Sequence, residues 1–414
     1  MSITLADIEA ARGRIAGAVE ETPCRVSRTL SAITEATVAL KFENQQFTGS
    51  FKERGARNTL LQLTPEQRRR GVIAMSAGNH AQGVAYHAQE LGIAATIVMP
   101  RGTPFVKIAQ TEHFGPRILI EGEGLAAAED FARELGKQDG LVFVHPYDDP
   151  AIIAGQGTLA LEMLEAEPEV DTLVVPVGGG GLISGCAIAA TGVRPGIEVI
   201  GVETELYPSM RQALADEPGT SGGATIAEGI AVSRPGSRTL PLVRELVSDV
   251  VSVPEAEIER AILLLLEIEK TVVEGAGAAG LAATLADPKR FAGRRVGLVL
   301  SGGNIDSRML SNIVLRGLVR EGRLTRAMVE IPDLPGSLAD VARIIGDTDA
   351  NIVDVSHERA FTRMPVKSTA LLVVFETRDR AHAEDVLAAL NEAGFRAQHV
   401  GLPGEVPGLD LGMV

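Results

Sequence analysis

Short apolar runs alternate with amphipathic, alanine-rich segments along most of the chain. Runs rich in β-branched residues predict strands, and segments whose apolar positions recur every three or four residues predict helices between them. Because these strands are apolar at nearly every position, we expect helices to cover both faces of each sheet, as in parallel α/β proteins. The predicted strands cover residues 72–75, 95–100, 117–120, 141–145, 172–177, 198–203 and 295–301.

The strands fall into two runs, within residues 38–150 and 151–323. We therefore predict two doubly wound parallel sheets in one region, residues 1–323, with residues 38–150 as a smaller lobe against a larger one. Ligands of open α/β sheets bind beyond the carboxyl ends of the strands. The loops that follow the strands are therefore where chemistry is expected.

The last quarter of the chain follows a different pattern. After Gly322 the order becomes strand, helix, strand, strand, helix and strand, which is the βαββαβ arrangement of ferredoxin-like domains. We place the boundary between residues 323 and 324, so that residues 324–414 form a domain of their own.

Composition and charge argue against several classes of function. A net charge of −15 disfavours nucleic acid or an anionic membrane as a partner, and 45% apolar residues suffice for large buried cores. Two cysteines, far apart, exclude a disulfide framework. Since no secretory signal or membrane-spanning run is visible, the sequence predicts a cytoplasmic protein with no membrane partner.

Four consecutive glycines, Gly178 to Gly181, separate an apolar strand from an apolar helix in PVGGGGLISG. Such a loop can point several backbone N–H groups into one cavity beside a helix N-terminus, which suits a phosphate group. A flexible connector is less favoured, because ordering four glycines costs much chain entropy. A dinucleotide-binding fingerprint is the sharper alternative, with Glu203 as the ribose-binding acid, but Ser184 stands where that fingerprint requires glycine or alanine.

Lys52 lies in the segment TGSFKERGA, where Ser50 is predicted to cap a helix whose first turn contains the lysine. A lysine in apolar surroundings can keep a neutral amine and form a Schiff base. Phe51 and Gly55 favour a packed site, whereas Glu53 and the following arginine keep the segment charged. An ordinary solvated lysine therefore remains open at this point.

Two more loops follow apolar strands. In MSAGNHAQG, Ser76 and Asn79 suit a helix N-cap, and the new helix end would suit an anion such as a carboxylate. Capping alone, with His80 packed or exposed, is the alternative. In LSGGNID, Ser301 considered by itself is an ordinary hydroxyl at the end of a strand.

Together, SFKERG, SAGNHAQG, GGGG and SGGN resemble the motifs of fold-type II pyridoxal-phosphate enzymes, and most closely those of the threonine dehydratases. The resemblance covers almost the whole chain and implies a lyase that dehydrates and deaminates L-threonine, and L-serine as well. It implies Lys52 as the catalytic residue, holding pyridoxal 5'-phosphate as an internal aldimine. The cofactor-binding residues implied are Phe51, Lys52, Asn79, Gly178, Gly179, Gly180, Gly181, Glu274 and Ser301, and those for the substrate carboxylate are Ser76, Ala77, Gly78, Asn79 and His80.

The resemblance also gives these residues roles. The glycine amides would bind the cofactor phosphate, Asn79 the pyridine 3-oxygen and Ser301 the ring nitrogen, with Glu274 near the ring. The freed Lys52 amine would remove the α-proton as general base. A neutral serine hydroxyl cannot keep the ring nitrogen protonated as a carboxylate would, which favours expulsion of the β-substituent over a long-lived carbanion.

Alternatives remain in the same fold and outside it. A serine racemase or hydroxyaspartate dehydratase is disfavoured because serine racemases carry a second serine where this chain has Ala77. A nicotinamide-dependent dehydrogenase leaves SFKERG unexplained. A catalytically inactive amino-acid sensor is disfavoured by the presence of Lys52.

Residues 327–400 resemble an ACT domain, a small amino-acid-binding module. The resemblance implies allosteric regulation by a branched-chain amino acid, as in isoleucine biosynthesis, within a homo-oligomer (dimer or tetramer). The implied effector-binding residues are Gly336, Ser337, Leu338, Asn351 and Ile352; a module used only for dimerisation is the alternative.

A metal site is not predicted. Some relatives bind a divalent cation through a glutamate at the position of Glu203, but Ser209 stands where their second carboxylate lies. Too few hard oxygen ligands would remain for a tightly held cation.

Overall fold

The computed structural model describes residues 3–359 and 365–400. The chain forms two compact units, Met1–Asp306 and Ser307–Val414. The predicted boundary between residues 323 and 324 lies one helix further along the chain and stays a prediction.

The described residues form strands and helices that are numbered in chain order. The strands are β1 (Cys24–Ser27), β2 (Thr37–Lys41), β3 (Val72–Met75), β4 (Ala95–Met99), β5 (Arg117–Ile120), β6 (Val142–Phe143), β7 (Thr172–Pro176), β8 (Glu198–Thr204), β9 (Asp249–Val253), β10 (Arg295–Val299), β11 (Leu324–Pro332), β12 (Asn351–Glu358), β13 (Ser368–Glu376) and β14 (Arg396–His399). The helices are α1 (Leu5–Ile15), α2 (Arg28–Thr34), α3 (Lys52–Leu61), α4 (Pro65–Arg70), α5 (Asn79–Glu90), α6 (Phe105–Glu112), α7 (Leu125–Asp139), α8 (Pro150–Ala166), α9 (Gly181–Val193), α10 (Ser209–Leu214), α11 (Thr239–Leu246), α12 (Glu255–Glu269), α13 (Gly275–Ala286), α14 (Pro288–Phe291), α15 (Ser307–Arg320), α16 (Ser337–Asp347) and α17 (Arg380–Glu392), with short 3-10 helices at Glu43–Gln45 and Glu228–Ile230. Within this described part, no helix combines the length and the apolar character needed to cross a membrane.

Two sheets organise the first unit. One has the order β1-β2-β10-β7-β8-β9 and is parallel except at β1, and the other has the order β5-β4-β3-β6 and is parallel throughout. In β3, Val72 and Ala74 pack with α5, whereas Ile73 and Met75 pack with α7. Because neighbouring residues of a strand point to opposite faces, helices cover both sides of this sheet, as predicted.

The predicted start of the smaller lobe at residue 38 is wrong for the strand that lies there. β2 pairs with β10 in the six-stranded sheet, with Val38 opposite Val296. The apolar residues of β2 are nearly all buried, so the pattern reveals a covered strand but not the sheet to which it belongs. Pairing partners this distant in sequence cannot be found from local periodicity.

The last strand of the smaller sheet is shorter than the predicted 141–145 and ends at Phe143. His145 explains the early end, because its Nδ1 accepts hydrogen bonds from the backbone N–H groups of Tyr147 and Asp148, at 3.1 and 2.8 Å. These bonds turn the chain away from the strand direction, and the following loop thereby enters the crevice between the sheets.

Glycines allow the helices beneath the crevice to touch. A Cβ atom on Gly185 of α9 would lie 2.4 Å from the Ile153 carbonyl oxygen and 2.6 Å from the Gly157 nitrogen of α8. On another side of α8, a Cβ on Gly155 would lie 2.6 Å from the Gly55 Cα of α3. The helix that begins at Lys52 is therefore packed backbone against backbone on the larger lobe.

The second unit contains one antiparallel sheet with the order β12-β13-β11-β14. Its helices α16 and α17 pack against it around a core that includes Val329, Ile345, Phe375 and Leu390. The element order after α15 is strand, helix, strand, strand, helix, strand. The predicted ferredoxin-like arrangement is confirmed.

Candidate active site

Lys52 is the first residue of α3, and its side-chain nitrogen lies inside the crevice between the two sheets. Its Nζ donates a hydrogen bond to the Pro146 carbonyl oxygen at 2.8 Å and lies 5.1 Å from the centre of the Phe51 ring. Burial lowers the pKa of Lys52 to about 8, although the nearby Glu274 carboxylate acts in the opposite direction. A sizeable fraction of the amine is therefore neutral near pH 8, as a nucleophile or base requires.

The two charged residues after Lys52, which left the sequence ambiguous, face the protein interior. Arg54 is 1% exposed, and its guanidinium pairs with Glu43 at 2.7 Å and with Glu162 at 2.6 Å. Glu53 is also 1% exposed, and its carboxylate accepts a hydrogen bond from the Thr48 backbone N–H. Both residues hold the lysine loop in place.

The loop after β10 is attached directly to the lysine loop. The Phe51 N–H donates to the Ser301 carbonyl oxygen at 3.1 Å, and Ser50 forms a β-bridge with Gly302. The predicted capping role of Ser50 is wrong, because Phe51 occupies the N-cap position and the Ser50 hydroxyl is buried without a partner among the described residues. Pairing with Gly302 draws Ser50 away from the helix end.

Asn79 lies at the centre of a chain of side-chain hydrogen bonds. Its Nδ2 donates to Glu274 Oε1 at 2.7 Å, while its Oδ1 accepts from Asn304 Nδ2 at 2.8 Å. The Asn304 amide also donates to the Thr48 carbonyl oxygen at 2.7 Å. The asparagine loop, the serine-glycine loop and the lysine loop therefore meet at one place.

The capping predicted for the asparagine loop is wrong. The N-cap of α5 is Gly78 and makes no side-chain cap bond, because Asn79 is already the first helical residue and its amide faces Glu274. Ser76 instead accepts the Gly78 N–H on its hydroxyl at 3.1 Å. In the described part of the chain, the N–H groups of Ala77, Asn79 and His80 have no protein acceptor. This helix N-terminus can therefore bind a carboxylate, as the sequence suggested.

Two titratable groups flank Lys52, the half-buried Glu274 and the buried His80. Burial raises the pKa of Glu274 to about 7, against the opposing effect of the Asn79 hydrogen bond. Burial lowers the pKa of His80 to about 3, so its ring is neutral, and Nε2 lies 2.9 Å from the Val144 carbonyl oxygen, to which it donates. Near neutral pH, Glu274 can hold or lose a proton, whereas His80 carries no charge.

The glycine loop follows β7 and ends at the N-terminus of α9. Gly180 has φ +95°, a conformation that favours glycine, and the Gly179 carbonyl oxygen accepts from Thr239 Oγ1 at 2.6 Å. The N–H groups of Gly178, Gly179 and Gly180 have no acceptor within the described residues. Gly179 and Gly180 are buried and Gly178 is half-buried, so these N–H groups can bind an anionic ligand.

Sequence reasoning missed the loop that joins Lys52 to the glycines. A Cβ on Gly179 would lie 2.3 Å from the Tyr147 ring, and Pro146 next to it accepts the Lys52 hydrogen bond. Asp148 then accepts the N–H groups of Ser237 and Arg238, at 3.0 and 2.8 Å. The only available signal was position, since HPYDDP directly follows a predicted strand.

Comparison with known proteins agrees with this geometry. A model of the pyridoxal-phosphate dependent enzyme family matches residues 15–302, and an ACT domain model matches residues 325–395. An L-threonine ammonia-lyase of Thermotoga maritima is 44% identical over 403 residues, which cover 96% of this chain and 100% of that protein. The chain belongs to the threonine ammonia-lyase family of pyridoxal-phosphate-dependent enzymes.

Solved structures of this ammonia-lyase family and its neighbours superpose on the same region. The maize serine racemase structure has a TM-score of 0.72 and 36% identity, and covers 77% of this chain and 98% of its own. A threonine deaminase from tomato, Solanum lycopersicum, has a TM-score of 0.71 and 33% identity, and covers 75% of this chain and 91% of its own.

The residues of this ammonia-lyase family member fit pyridoxal phosphate. Three glycine N–H groups without protein acceptors form an anion-binding loop at a helix end, as the cofactor phosphate requires. A lysine with a lowered pKa lies in the same crevice, next to the Asn79 amide and the Glu274 carboxylate. Glu203 is poorly placed to bind a ribose or a divalent cation. Both its carboxylate oxygens accept N–H groups at the start of α10, from Met210 at 2.7 Å and Arg211 at 3.0 Å.

Proposed function

We propose that this enzyme eliminates water from L-threonine, and from L-serine, and that addition of water to the resulting enamine then expels ammonia and gives 2-oxobutanoate and pyruvate, respectively. The observation that carries the proposal is the buried Lys52 amine, whose pKa is lowered to about 8, held between a carboxylate-binding helix end and an anion-binding glycine loop. The names of the Thermotoga maritima and tomato relatives support threonine as the substrate.

Each residue of the crevice receives a role in this proposal. Lys52 would hold the cofactor and Gly178 to Gly181 would bind its phosphate, while Phe51 packs beside the lysine. Asn79 still has a second Nδ2 hydrogen for the cofactor 3-oxygen, since only one is used by Glu274. Ser301 would contact the ring nitrogen, and Glu274 would lie beside the ring. When bound, pyridoxal phosphate supplies the electron sink for cleavage next to the α-carbon.

The protein groups position the substrate and move the protons. The free N–H groups of the loop 76–80 bind the substrate carboxylate and orient the α-proton toward Lys52, which removes it as a neutral amine. His80 stays neutral and contributes no charge to this binding, so the loop attracts the carboxylate through backbone dipoles. Glu274, with a pKa of about 7, can exchange a proton within the same site.

A spectrum and one variant test the proposal. The purified enzyme should show a yellow, borohydride-sensitive band and deaminate L-threonine. Lys52→Ala should lose the band and at least about 10³-fold in turnover, because tether and base are removed together. Lys289→Ala, an exposed lysine on α14, is the matched control. Near wild-type deamination by Lys52→Ala would refute the assignment.

Racemisation is the second activity to consider, because the maize neighbour is a serine racemase. We propose that it is poor here, since Ala77 provides no proton carrier on the face opposite Lys52. Ala77→Ser should introduce a small amount of D-serine formation at the expense of clean dehydration. Chiral chromatography of serine after incubation measures this, and the absence of D-serine from the variant would show that Ala77 does not discriminate the two activities.

We further propose that the second unit binds isoleucine or valine and regulates the enzyme, consistent with a role in isoleucine biosynthesis. Gly336 has φ +95° at the N-cap of α16, and the N–H groups of Gly336 and Leu338 have no acceptor among the described residues. An amino-acid carboxylate fits such a turn. Ser337 begins the helix, and Asn351 and Ile352 begin β12. Calorimetric titration of the full chain with either amino acid tests this binding.

Assembly and location complete the proposal. We propose a cytoplasmic homo-oligomer, dimer or tetramer, because regulated enzymes are commonly symmetric assemblies. Cys24 and Cys186 are both free in the structure, which suits a reducing compartment. Light scattering of the purified enzyme would measure the oligomer, and a monomer would contradict the proposal.

A further inference from the structure

An ion pair joins the two lobes of the first unit. Lys107, on α6 beside the four-stranded sheet, pairs through Nζ with Glu228 Oε2, at the start of a 3-10 helix in the other lobe. The Lys107 side chain is 24% exposed and that of Glu228 is 55% exposed. The pair is therefore within reach of solvent and salt, and it can open without a large desolvation change.

The segment that carries Glu228 forms a wall of the active site. A Cβ on Gly229 would lie 3.3 Å from Glu274 Oε1, and a Cβ on Gly178 would lie 3.2 Å from the Ile230 Cα. The segment thus touches the carboxylate at one end of the site and the glycine loop at the other. Glu228 is consequently an ion-pair partner placed at the edge of the substrate crevice.

This wall is fixed within the larger lobe. Glu255, the first residue of α12, accepts the Thr225 hydroxyl at 2.6 Å and the Ile226 N–H at 2.8 Å. These bonds anchor the chain two residues before Glu228. We therefore assign changes in the Lys107–Glu228 distance mainly to α6.

Helix α6 buries few side chains, and Gln110 accepts a hydrogen bond from Gln82 of α5 at 3.3 Å. Of its eight residues only Thr111 is buried, whereas Phe105 is 90% exposed and Val106 is 55% exposed. Ile108 is partly buried against the core of the smaller lobe. Segments with few buried apolar contacts open at low free-energy cost, so α6 is the element able to move at this edge.

We propose that the Lys107–Glu228 ion pair is a latch between the lobes at the entrance of the active site, closing over the bound amino acid and opening for entry and release. This inference rests on the proposed function for the identity of the amino acid. Lys107 is a positioning residue in this scheme. It need not touch the substrate, although its charge also lowers the pKa of Glu274, an effect that the charge of Glu228 opposes.

A double-mutant cycle with Lys107→Met and Glu228→Gln tests the latch in the holoenzyme. Each single variant should raise the KM for L-threonine about two- to fivefold without lowering kcat, as expected for one partly exposed ion pair. The double variant should be no worse than either single variant, and the charge swap K107E/E228K should restore KM to within about twofold. Arg70→Met, which removes the exposed Arg70–Glu66 pair on α4 of the same lobe, is the control and should leave KM unchanged.

Two further measurements are the salt dependence of KM and the rates of amide hydrogen exchange. Neither should change if the ion pair contributed only to the stability of the fold. The wild-type KM should rise with salt, whereas the KM of each single variant should be nearly independent of salt. In the cofactor-free protein, amides of residues 105–112 should exchange about two- to fivefold faster in either single variant, and amides of α7 should not change. If L-threonine is not a substrate, the proposed function fails. The exchange measurement needs no substrate and still tests the latch. Additive single effects, no rescue by the swap, or unchanged exchange would overturn the latch.

Discussion

At Lys52, burial and charge act on the same amine in opposite directions. Burial lowers its pKa to about 8, while the negative charge of Glu274 favours the ammonium. Burial wins because the crevice offers only one neutral acceptor at hydrogen-bond distance among the described residues, the Pro146 carbonyl oxygen. The sequence could identify this lysine through its motif, but not through local chemistry, since its charged neighbours resemble those of a surface residue.

The lowered pKa has a consequence for cofactor uptake. Only the neutral amine can attack the cofactor aldehyde, so the uptake rate should rise with pH and level off above about pH 8. A free lysine amine, with a pKa of about 10.4, should show a rate that rises until about pH 10. The growth of the visible band after mixing cofactor-free protein with pyridoxal phosphate measures this, with Nα-acetyl-lysine as the control. A protein rate that climbs to pH 10 would contradict the lowered pKa.

Gly302 keeps the Asn79–Glu274 hydrogen bond in place by having no side chain. A Cβ there would lie 2.5 Å from Glu274 Oε1 and 3.1 Å from Asn79 Nδ2. Gly302→Ala should therefore displace the pair and lower kcat/KM about 10- to 100-fold, since small misplacements of catalytic groups are costly. Gly280→Ala is a matched control within α13, where the nearest atom to the new Cβ is 3.5 Å away. Steady-state kinetics measure kcat/KM for both variants. Equal values would show that Gly302 does not have this role.

At the scale of elements, most strands and helices can be predicted from the hydrophobic pattern. The elements with which they pair or pack cannot be predicted in this way. β3, β5 and the order of elements in the second unit lie where predicted, because β3 and β5 are short, mostly apolar runs that the local sequence reveals, although β3 is fully buried and β5 is not. The sheet to which β2 belongs depends on its distant pairing with β10. The support of Lys52 by Arg54 depends in the same way on Glu162, which is 108 residues further along the chain. No local signal marks such contacts.

The contact between α8 and α9 should tolerate no added atom. In Gly185→Ala the new methyl would meet backbone atoms, 2.4 Å from the Ile153 oxygen, which cannot move aside like a flexible side chain. We expect a loss of about 1–3 kcal/mol in the free energy of unfolding. Gly13→Ala in α1, where no described residue outside the helix's own backbone lies within 4 Å of the new Cβ, should instead gain about 0.5–1 kcal/mol. Urea denaturation followed by circular dichroism compares them, and equal stability would show that the helices can separate without cost.

At the scale of the whole molecule, the sequence indicates that the two units have different functions. Residues 15–302 match the pyridoxal-phosphate enzyme model and contain every predicted catalytic residue, whereas residues 325–395 match an ACT domain with its own core. Motif order could predict this division, since each motif is local. The state of assembly could not be predicted, because it depends on surfaces that no motif marks. Regulation therefore has to be tested by changing the second unit while the first is left intact.

Gly336→Asp tests regulation at this scale. It places a negative charge at the turn before α16, where the effector carboxylate should bind, and apart from its chain neighbours no described residue lies within 4 Å of the new Cβ. In the wild type, isoleucine or valine should shift the apparent affinity for threonine, and couplings of this kind are typically about 5- to 150-fold. The variant should lose that shift but keep the visible band and the basal kinetics.

A matched control separates charge from backbone strain in this experiment. Gly394 lies in the same unit with φ +91° and has equally open space, compared with φ +95° at Gly336. Gly394→Asp should therefore suffer the same left-handed strain, yet respond to isoleucine or valine like the wild type. If both variants lose the response, strain rather than charge is responsible. If the wild type itself shows neither a kinetic response nor heat of binding with either amino acid, the second unit serves assembly and the regulatory proposal fails.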